Sequence, residues 1–172
     1  MKIEIRENAE IKLENLLSCR KEVYEVEVNK EFANMTAFIK KNKLNQHGGI
    51  VTTVHNIYDE NEKKLLEIEI LIPVDIKNSL HKYKNSNQLE KSFNVGDYKF
   101  IKSLHLENGL YATHKGNPEL LNTAYDILNQ YITENSLKTT TPIYNIYRNK
   151  ITSSQSIDDL IIDLFIGVQS IK

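Results

Sequence analysis

The chain has 172 residues, and its 22 Lys and Arg against 23 Asp and Glu give a formal net charge of −1. That length suits one domain or two small packed halves, and it is enough to bury roughly 70% of the unfolded surface. A charge so balanced excludes a general attraction to nucleic acid or to an anionic membrane. The single cysteine, Cys19, excludes an intramolecular disulfide and argues against a metal–thiolate site.

Neither end of the sequence predicts a targeting segment. The first eight residues alternate charged and apolar side chains, which is unlike the apolar core of a signal peptide. The longest apolar-rich run, residues 160–168, is interrupted by Asp163 and is too short to cross a bilayer. We therefore expect a soluble, cytoplasmic protein without membrane contact. The abundance of Lys, Asn and Ile indicates a bacterial coding bias.

The first half of the chain predicts a strand, a helix and two more strands. Apolar and polar residues alternate in the strands, and Phe32, Met35 and Ile39 recur at helical spacing. In chain order the predicted elements are a strand at 23–28, extending back through 11–16, a helix capped by Asn29, a strand at 50–58 and a strand at 65–74.

The second half predicts the same order. Asn117 and Pro118 form a helix start, and an apolar stripe at i, i+3, i+4 spacing follows them. In chain order the predicted elements are a strand at 100–114, a helix that starts at 116–119 and continues through the stripe at 121–132, a strand at 142–148, a loop at 149–156 and a strand at 160–168. A connector with a short helix near 76–83 joins the halves.

Two local matches indicate an internal repeat. The triplet Asn-Ile-Tyr occurs at 56–58 and at 145–147, and segment 69–74 parallels segment 163–168. We expect an α+β fold made of duplicated β-α-β-β halves with pseudo-twofold symmetry, antiparallel sheets, helices on one face and a central cleft. The whole chain, 1–172, is then a single domain, with the first half at about 10–74, a connector at about 75–98 and the second half at about 99–172.

Strand parity places an acid at matching positions in the two halves. One face of each last strand is purely aliphatic and is expected to pack under a helix; these faces hold Ile68, Ile70 and Ile72, and Ile162, Leu164 and Ile166. The opposite, mixed faces hold Glu69 and Asp163. Pseudo-twofold symmetry would put the two carboxylates near a shared cleft.

At this point the chain resembles the gyrase-inhibitor-like (GyrI-like) effector-binding domains. Residues 110–118 read LYATHKGNP and look like the strand–turn–helix entry of that family. Residues 142–147 and 69–74 look like two further strand signatures. The resemblance spans most of residues 20–170. A more remote likeness is to an uncharacterised family of low-GC Gram-positive bacteria found near type VII secretion clusters.

The resemblance implies a stand-alone domain with a cleft that binds cationic or aromatic small molecules. In multidrug-responsive regulators of this kind a DNA-binding helical domain is attached, and residues 1–22 are too short to form one. The family's buried glutamate would fall at Glu69, with Asp163 as its counterpart in the repeat.

Six residues are the candidate ligand-binding set. The acids could compensate a cationic ligand, and the tyrosines and asparagines could line the cleft. The alternative is that the acids simply face solvent and the tyrosines are ordinary strand formers. The set comprises Glu69, Asp163, Tyr58, Tyr147, Asn56 and Asn145.

Other chemistry has weaker support in the sequence. No His pair shows metal-helix spacing, so we expect no metal site and no cofactor. Cys19 is expected to be a buried, inert thiol, and His55 a packing or surface residue. Lys115 and Gly116, before the helix start, could hold an anion, although the glycine also serves the turn.

Three functions remain open. The first is a non-enzymatic binding domain holding a small molecule or peptide between the repeats, with no direct nucleic-acid partner. The second is an accessory or chaperone protein that binds a protein partner, for example a toxin secreted by a type VII system. The third is a small-molecule hydrolase that uses Glu69 with Tyr58 or Tyr147.

Overall fold

A computed structural model describes residues 3–60, 62–75, 92–148 and 159–171. The predicted helix near 76–83 and the predicted loop at 149–156 lie outside these residues. The helices are α1 (Val28–Lys41) and α2 (Leu121–Glu134), and the strands are β1 (Ile5–Tyr24), β2 (Asn45–Gln46), β3 (Val51–Glu60), β4 (Lys63–Asp75), β5 (Ser92–Val95), β6 (Tyr98–Lys115), β7 (Leu137–Thr139), β8 (Tyr144–Tyr147) and β9 (Ile161–Ser170).

The chain divides into two compact units. One consists of Lys12–Leu104, and the other of Met1–Ile11 together with His105–Lys172. We call them the middle unit and the terminal unit. The boundary passes through the long strands β1 and β6, so each of these strands contributes to both units.

Strand β4 organises the middle unit. It pairs in antiparallel register with β1 on one side and β3 on the other, and β2 pairs with its far end. Its aliphatic residues Ile68, Ile70 and Ile72 are at most 4% exposed and pack with Met35 and Ile39 of α1. The predicted aliphatic face therefore lies under the helix.

A charged pair joins α1 to the sheet. Lys21 lies opposite Ile68 on β1, and its ammonium contacts the carboxylate of Glu31. Glu31 is buried, and the hydrogen bond from Lys21 lowers the pKa of its carboxyl group. A buried carboxylate requires such a partner because removing a charge from water is costly.

Strand β9 organises the terminal unit in the same way. It pairs in antiparallel register with β6, β7 and β8. Its aliphatic face is buried against α2 in a cluster that includes Ala124 and Leu128. As predicted, Asn117 caps the helix entry, since its side chain accepts a hydrogen bond of 2.9 Å from the backbone N–H of Glu119, and Pro118 follows it.

The predicted strand at 23–28 was wrong in its second half. Strand β1 ends at Tyr24, Glu25–Glu27 form a 3-10 turn, and α1 begins at Val28. Val26 is 87% exposed, so the alternation there does not reflect a buried face. Asn29 lies inside the helix, and Glu27 occupies the cap position without a side-chain cap hydrogen bond.

Asparagines with positive φ interrupt the two long strands. Asn8 and Asn15 in β1 have φ of 51° and 57°, and Asn108 in β6 has φ of 53°. Asparagine adopts this left-handed conformation more readily than most residues, and such positions are typical of bulges that bend a strand.

The fold class is α+β with antiparallel strands, as the sequence predicted. The order strand, helix, strand, strand occurs in both units, each with an additional short strand after the helix. No helix among the described residues is long and apolar enough to span a membrane.

Position 109 must be glycine because the ring of Phe165 occupies the space that a side chain would need. A Cβ atom at position 109 would lie 2.2 Å from Cζ of Phe165, whose side chain is fully buried. We expect Gly109→Ala to lower the free energy of unfolding by about 2–3 kcal/mol, because the core cannot absorb the extra carbon. Urea unfolding followed by circular dichroism measures this.

The control is the double variant with Phe165→Leu, which removes the ring that causes the clash. The two substitutions should then cost less together than the sum of their separate costs. Additive costs would show that Gly109 is needed for some other reason.

Candidate functional site

Asp163 lies at the centre of a polar network on the mixed face of β9. Its Oδ1 accepts a hydrogen bond of 2.9 Å from the hydroxyl of Thr113, and its Oδ2 accepts one of 2.5 Å from Nε of Arg148. Asp163 is buried, whereas the Arg148 side chain is 51% exposed. The hydrogen bond to Asp163 raises the pKa of Arg148 above its already high value, so the guanidinium is charged at any physiological pH.

Tyr111 extends this network towards solvent. Its hydroxyl accepts a hydrogen bond of 2.6 Å from Nη2 of Arg148, and the guanidinium of Arg6 lies 4.2 Å from the centre of its ring. The first contact fixes the ring orientation, and the second is a cation–π interaction.

These side chains line a cavity of about 550 Å³, which we call the Arg148 cavity. It lies within the terminal unit, and alternate residues of β6 form part of its wall because they share one face of the strand. Its lining residues are Ile3, Glu4, Arg6, Tyr111, Thr113, Lys115 and Arg148. A cavity of this size is in the range of small-molecule sites.

Glu69 has a different set of partners in the middle unit. Its Oε1 accepts a hydrogen bond of 3.0 Å from the hydroxyl of Ser18, and its Oε2 lies 2.9 Å from Nε2 of His55. The His55 and Glu69 side chains are each 15% exposed. His55 therefore has a specific polar partner, which its predicted packing or surface role did not include.

The Glu69 group is not a nucleophile–base relay. In such a relay the serine donates to the histidine and the histidine donates to the carboxylate. Here the Ser18 hydroxyl donates to the carboxylate directly, and Ser18 is only 3% exposed. The arrangement holds Glu69 in place and offers no activated hydroxyl.

Asn56 and Tyr58 lie on the same face of the middle unit's sheet as Glu69. Asn56 is opposite Glu67 and donates to its carboxylate at 2.5 Å, and Tyr58 is opposite Leu65 and is 41% exposed. The hydrogen bond from Asn56 is the main cause of the lowered pKa of Glu67.

Asn145 and Tyr147 lie on the other face from Asp163. In the β8–β9 pair, Asn145 is opposite Leu164 and Tyr147 is opposite Ile162. Directly opposite residues share a face of the sheet, so both lie on the aliphatic face of β9. Tyr147 packs against the core under α2. Binding roles for these two residues stay a prediction, as does the cleft that would join Glu69 in one unit to Asp163 in the other.

The structure also brings together Glu10, His105 and Glu107. One ligand-type atom from each lies within 4.8 Å of the others, and all three side chains are exposed. The residues come from two strands, so spacing along one helix could not reveal them. Nε2 of His105 lies 2.5 Å from a carboxylate oxygen of Glu10.

The partners of both acids were not predicted from the sequence. Arg148 was predicted only as a strand end, and Thr113 and Tyr111 only as strand residues. A signal was present, because residues 111, 113 and 115 share one strand face and fall within the segment that resembles the GyrI-like domains. Cys19 is buried as predicted, and burial raises the pKa of its thiol.

Comparison with solved structures shows what this fold is similar to. The C-terminal domain of EcmrR matches with a TM-score of 0.65 and 18% identity, over 99% of this chain and 98% of that domain. EcmrR in its DNA complex matches with a TM-score of 0.69 and 18% identity, and this chain spans 58% of that longer protein.

Two proteins from Listeria innocua are also similar. An uncharacterised conserved protein has a TM-score of 0.61 and 11% identity, and a protein described as a hydrolase has a TM-score of 0.53 and 13% identity. Each match covers 98% of this chain and 92% of the other. Neither a protein-family model nor a curated protein matches the chain. At these identities the likeness shows a shared fold.

The Asp163–Arg148 pair should be energetically coupled. In a double-mutant cycle with Asp163→Asn and Arg148→Gln, we expect a coupling free energy of about 1 kcal/mol, reduced from that of a fully buried pair because Arg148 is half exposed. Urea unfolding of the four proteins measures it.

The Arg20–Glu67 pair in the middle unit is the matched control. It is also an arginine–carboxylate contact, at 2.9 Å rather than 2.5 Å, and its carboxylate is more exposed than that of Asp163. We expect a smaller coupling free energy for this pair. Equal coupling free energies in the two cycles would show that the burial of Asp163 does not strengthen its interaction with Arg148.

Proposed function

We propose that this chain is a ligand-binding domain of the GyrI-like effector-binding type and that it holds a small molecule in the Arg148 cavity. The observation that carries the proposal is the cavity itself, where an oriented tyrosine and an anchored arginine line a concave space of about 550 Å³. Few, well-placed polar groups in a concave space are typical of binding sites.

The resemblance supports the same location. Residues 110–118, which look like the strand–turn–helix entry of the GyrI-like domains, contain Tyr111, Thr113 and Lys115. All three line the cavity. The fold likeness to the EcmrR C-terminal domain agrees with this family, and the DNA complex in which EcmrR was solved suggests regulatory use of the fold.

The network under the cavity supports a binding role because it is already formed. Arg148 is held by Asp163, and Tyr111 is held by Arg148 and Arg6. A ligand would therefore not have to order these side chains, and the entropic cost of binding falls accordingly.

Tyr111 should matter for binding and Tyr58 should not. We expect fragments that bind the 15N-labelled chain to shift the amide signals of residues around Tyr111 and Arg148. We expect Tyr111→Ala to weaken those fragments at least about tenfold, because it removes the ring and the hydroxyl together.

The control is Tyr58→Ala, which removes an exposed tyrosine from the other unit. It should leave those affinities unchanged. Fragments that respond to Tyr58→Ala but not to Tyr111→Ala would contradict the proposed location and favour the site first predicted from the sequence.

Hydrolysis is the second candidate, favoured by the His55–Glu69 contact and by the fold likeness to the Listeria protein described as a hydrolase. A histidine oriented by a carboxylate is one part of many hydrolytic sites. Because the Ser18 hydroxyl donates to the same carboxylate, Ser18 is not placed as a nucleophile activated by that histidine. The accessory or chaperone role stays a prediction from the sequence.

Glu69→Gln tests the two candidates against each other. If the chain is a binding domain, wild type and Glu69→Gln should hydrolyse a panel of activated esters at equal rates, close to that of buffer. A wild-type rate well above buffer that is lost in Glu69→Gln would favour the hydrolase. Circular dichroism confirms that the variant is folded.

A further inference from the structure

The geometry points to a small organic anion, a carboxylate or a phosphate monoester, as the ligand of the Arg148 cavity. This inference rests on the proposed function and names the class of molecule that the same cavity would take. It differs from the expectation drawn from the sequence, in which an acidic cleft compensates a cationic ligand.

Asp163 does not provide the negative charge that a cationic ligand would need. Both of its oxygens already accept hydrogen bonds, one from Thr113 and one from Arg148. Its side chain is only 9% exposed, whereas that of Arg148 is 51% exposed. The group that a ligand meets is therefore the arginine and not the acid beneath it.

Two further cations of the lining form no ion pair with any carboxylate in the described part of the chain. Among the described residues, neither Arg6 nor Lys115 forms an ion pair within 4.0 Å, although both line the cavity. Glu4 is the acid of the lining and is exposed. The chain as a whole carries a charge of −1, so this positive lining is a local feature. Cationic groups that converge in a concave space attract anions from solution.

The donors are suited to oxygen acceptors. Guanidinium and ammonium groups donate and cannot accept, and charge-assisted hydrogen bonds to carboxylate or phosphate are stronger than neutral ones. Because the Tyr111 hydroxyl accepts from Arg148, its own proton is available to a second acceptor. An oxyanion in the cavity could then be met by Tyr111, Arg6 and Lys115.

A charge series on one ring tests the inference. The 15N-labelled chain is titrated with benzoate, phenyl phosphate, neutral benzamide and the benzylammonium cation at low salt. We expect at least one of the anions to shift the signals around Tyr111 and to bind at least about tenfold more tightly than benzamide or benzylammonium. Binding of the anion should weaken as salt is raised to about 0.5 M, because exposed charges are screened.

Charge-removing variants locate the effect. Arg6→Gln and Lys115→Gln should each weaken the binding anion by about fivefold, and should weaken benzamide by a smaller factor. The matched control is Lys138→Gln, which removes an exposed lysine from β7 of the same unit, outside the cavity lining. It should leave the anion's affinity unchanged.

The outcomes separate the two proposals. If benzamide or benzylammonium binds around Tyr111 as tightly as the anions, the anion inference is wrong and the ligand-binding function stands. If no probe or library fragment of any charge binds there, both fail. A loss of anion binding in Lys138→Gln equal to that in Lys115→Gln would assign the effect to net charge and overturn the inference.

Discussion

The period of two along β4 and β9 determines where the other features of each unit can lie. Ile162 and Leu164 are completely buried under α2, and Ile70 is equally protected under α1. Burial of each such side chain contributes about 1.5–3 kcal/mol to stability. A one-residue shift in the strand register would expose this face, and the unit would lose too much stability to stay folded in that register. The fixed register then places Glu69 and Asp163 on the opposite faces, where each needs a partner.

The two acids obtain partners of different chemistry from equivalent positions. Thr53 is opposite Glu69, and Ile146 is opposite Asp163. His55 follows Thr53 by two residues within β3, and Arg148 follows Ile146 by two residues, just past the end of β8. Arginine keeps its charge at physiological pH. The units share an order of elements, but Arg148 gives one of them a permanent cation, whereas the other has an imidazole at this place.

The sequence was sufficient for the two helices, for most of the long strands and for the faces of the central strands, because these follow from periodicity and from the cap at Asn117. It did not predict the 3-10 turn at Glu25–Glu27 or the short strands β2, β5 and β7. It was misleading for the Asn-Ile-Tyr triplets. A bulge between Val54 and Asn56 shifts β3 by one residue, and Asn56 therefore shares the face of Glu67, whereas Asn145 shares the face of Leu164. A bulge does not change the apolar pattern of the sequence. The two identical triplets therefore did not occupy equivalent positions in the two units.

The charge of the candidate site could not be inferred from the acids alone. An acid on a mixed face predicts a negative site only if it remains unpaired, and burial makes that state costly. Asp163 instead holds Arg148 in place, which leaves part of the guanidinium exposed to the cavity. The short segment 110–118 is more informative than the repeat, because it carries side chains that line the cavity directly. In the terminal unit the buried acid is therefore the anchor of a neighbouring base, and the exposed part of that base is what the cavity presents.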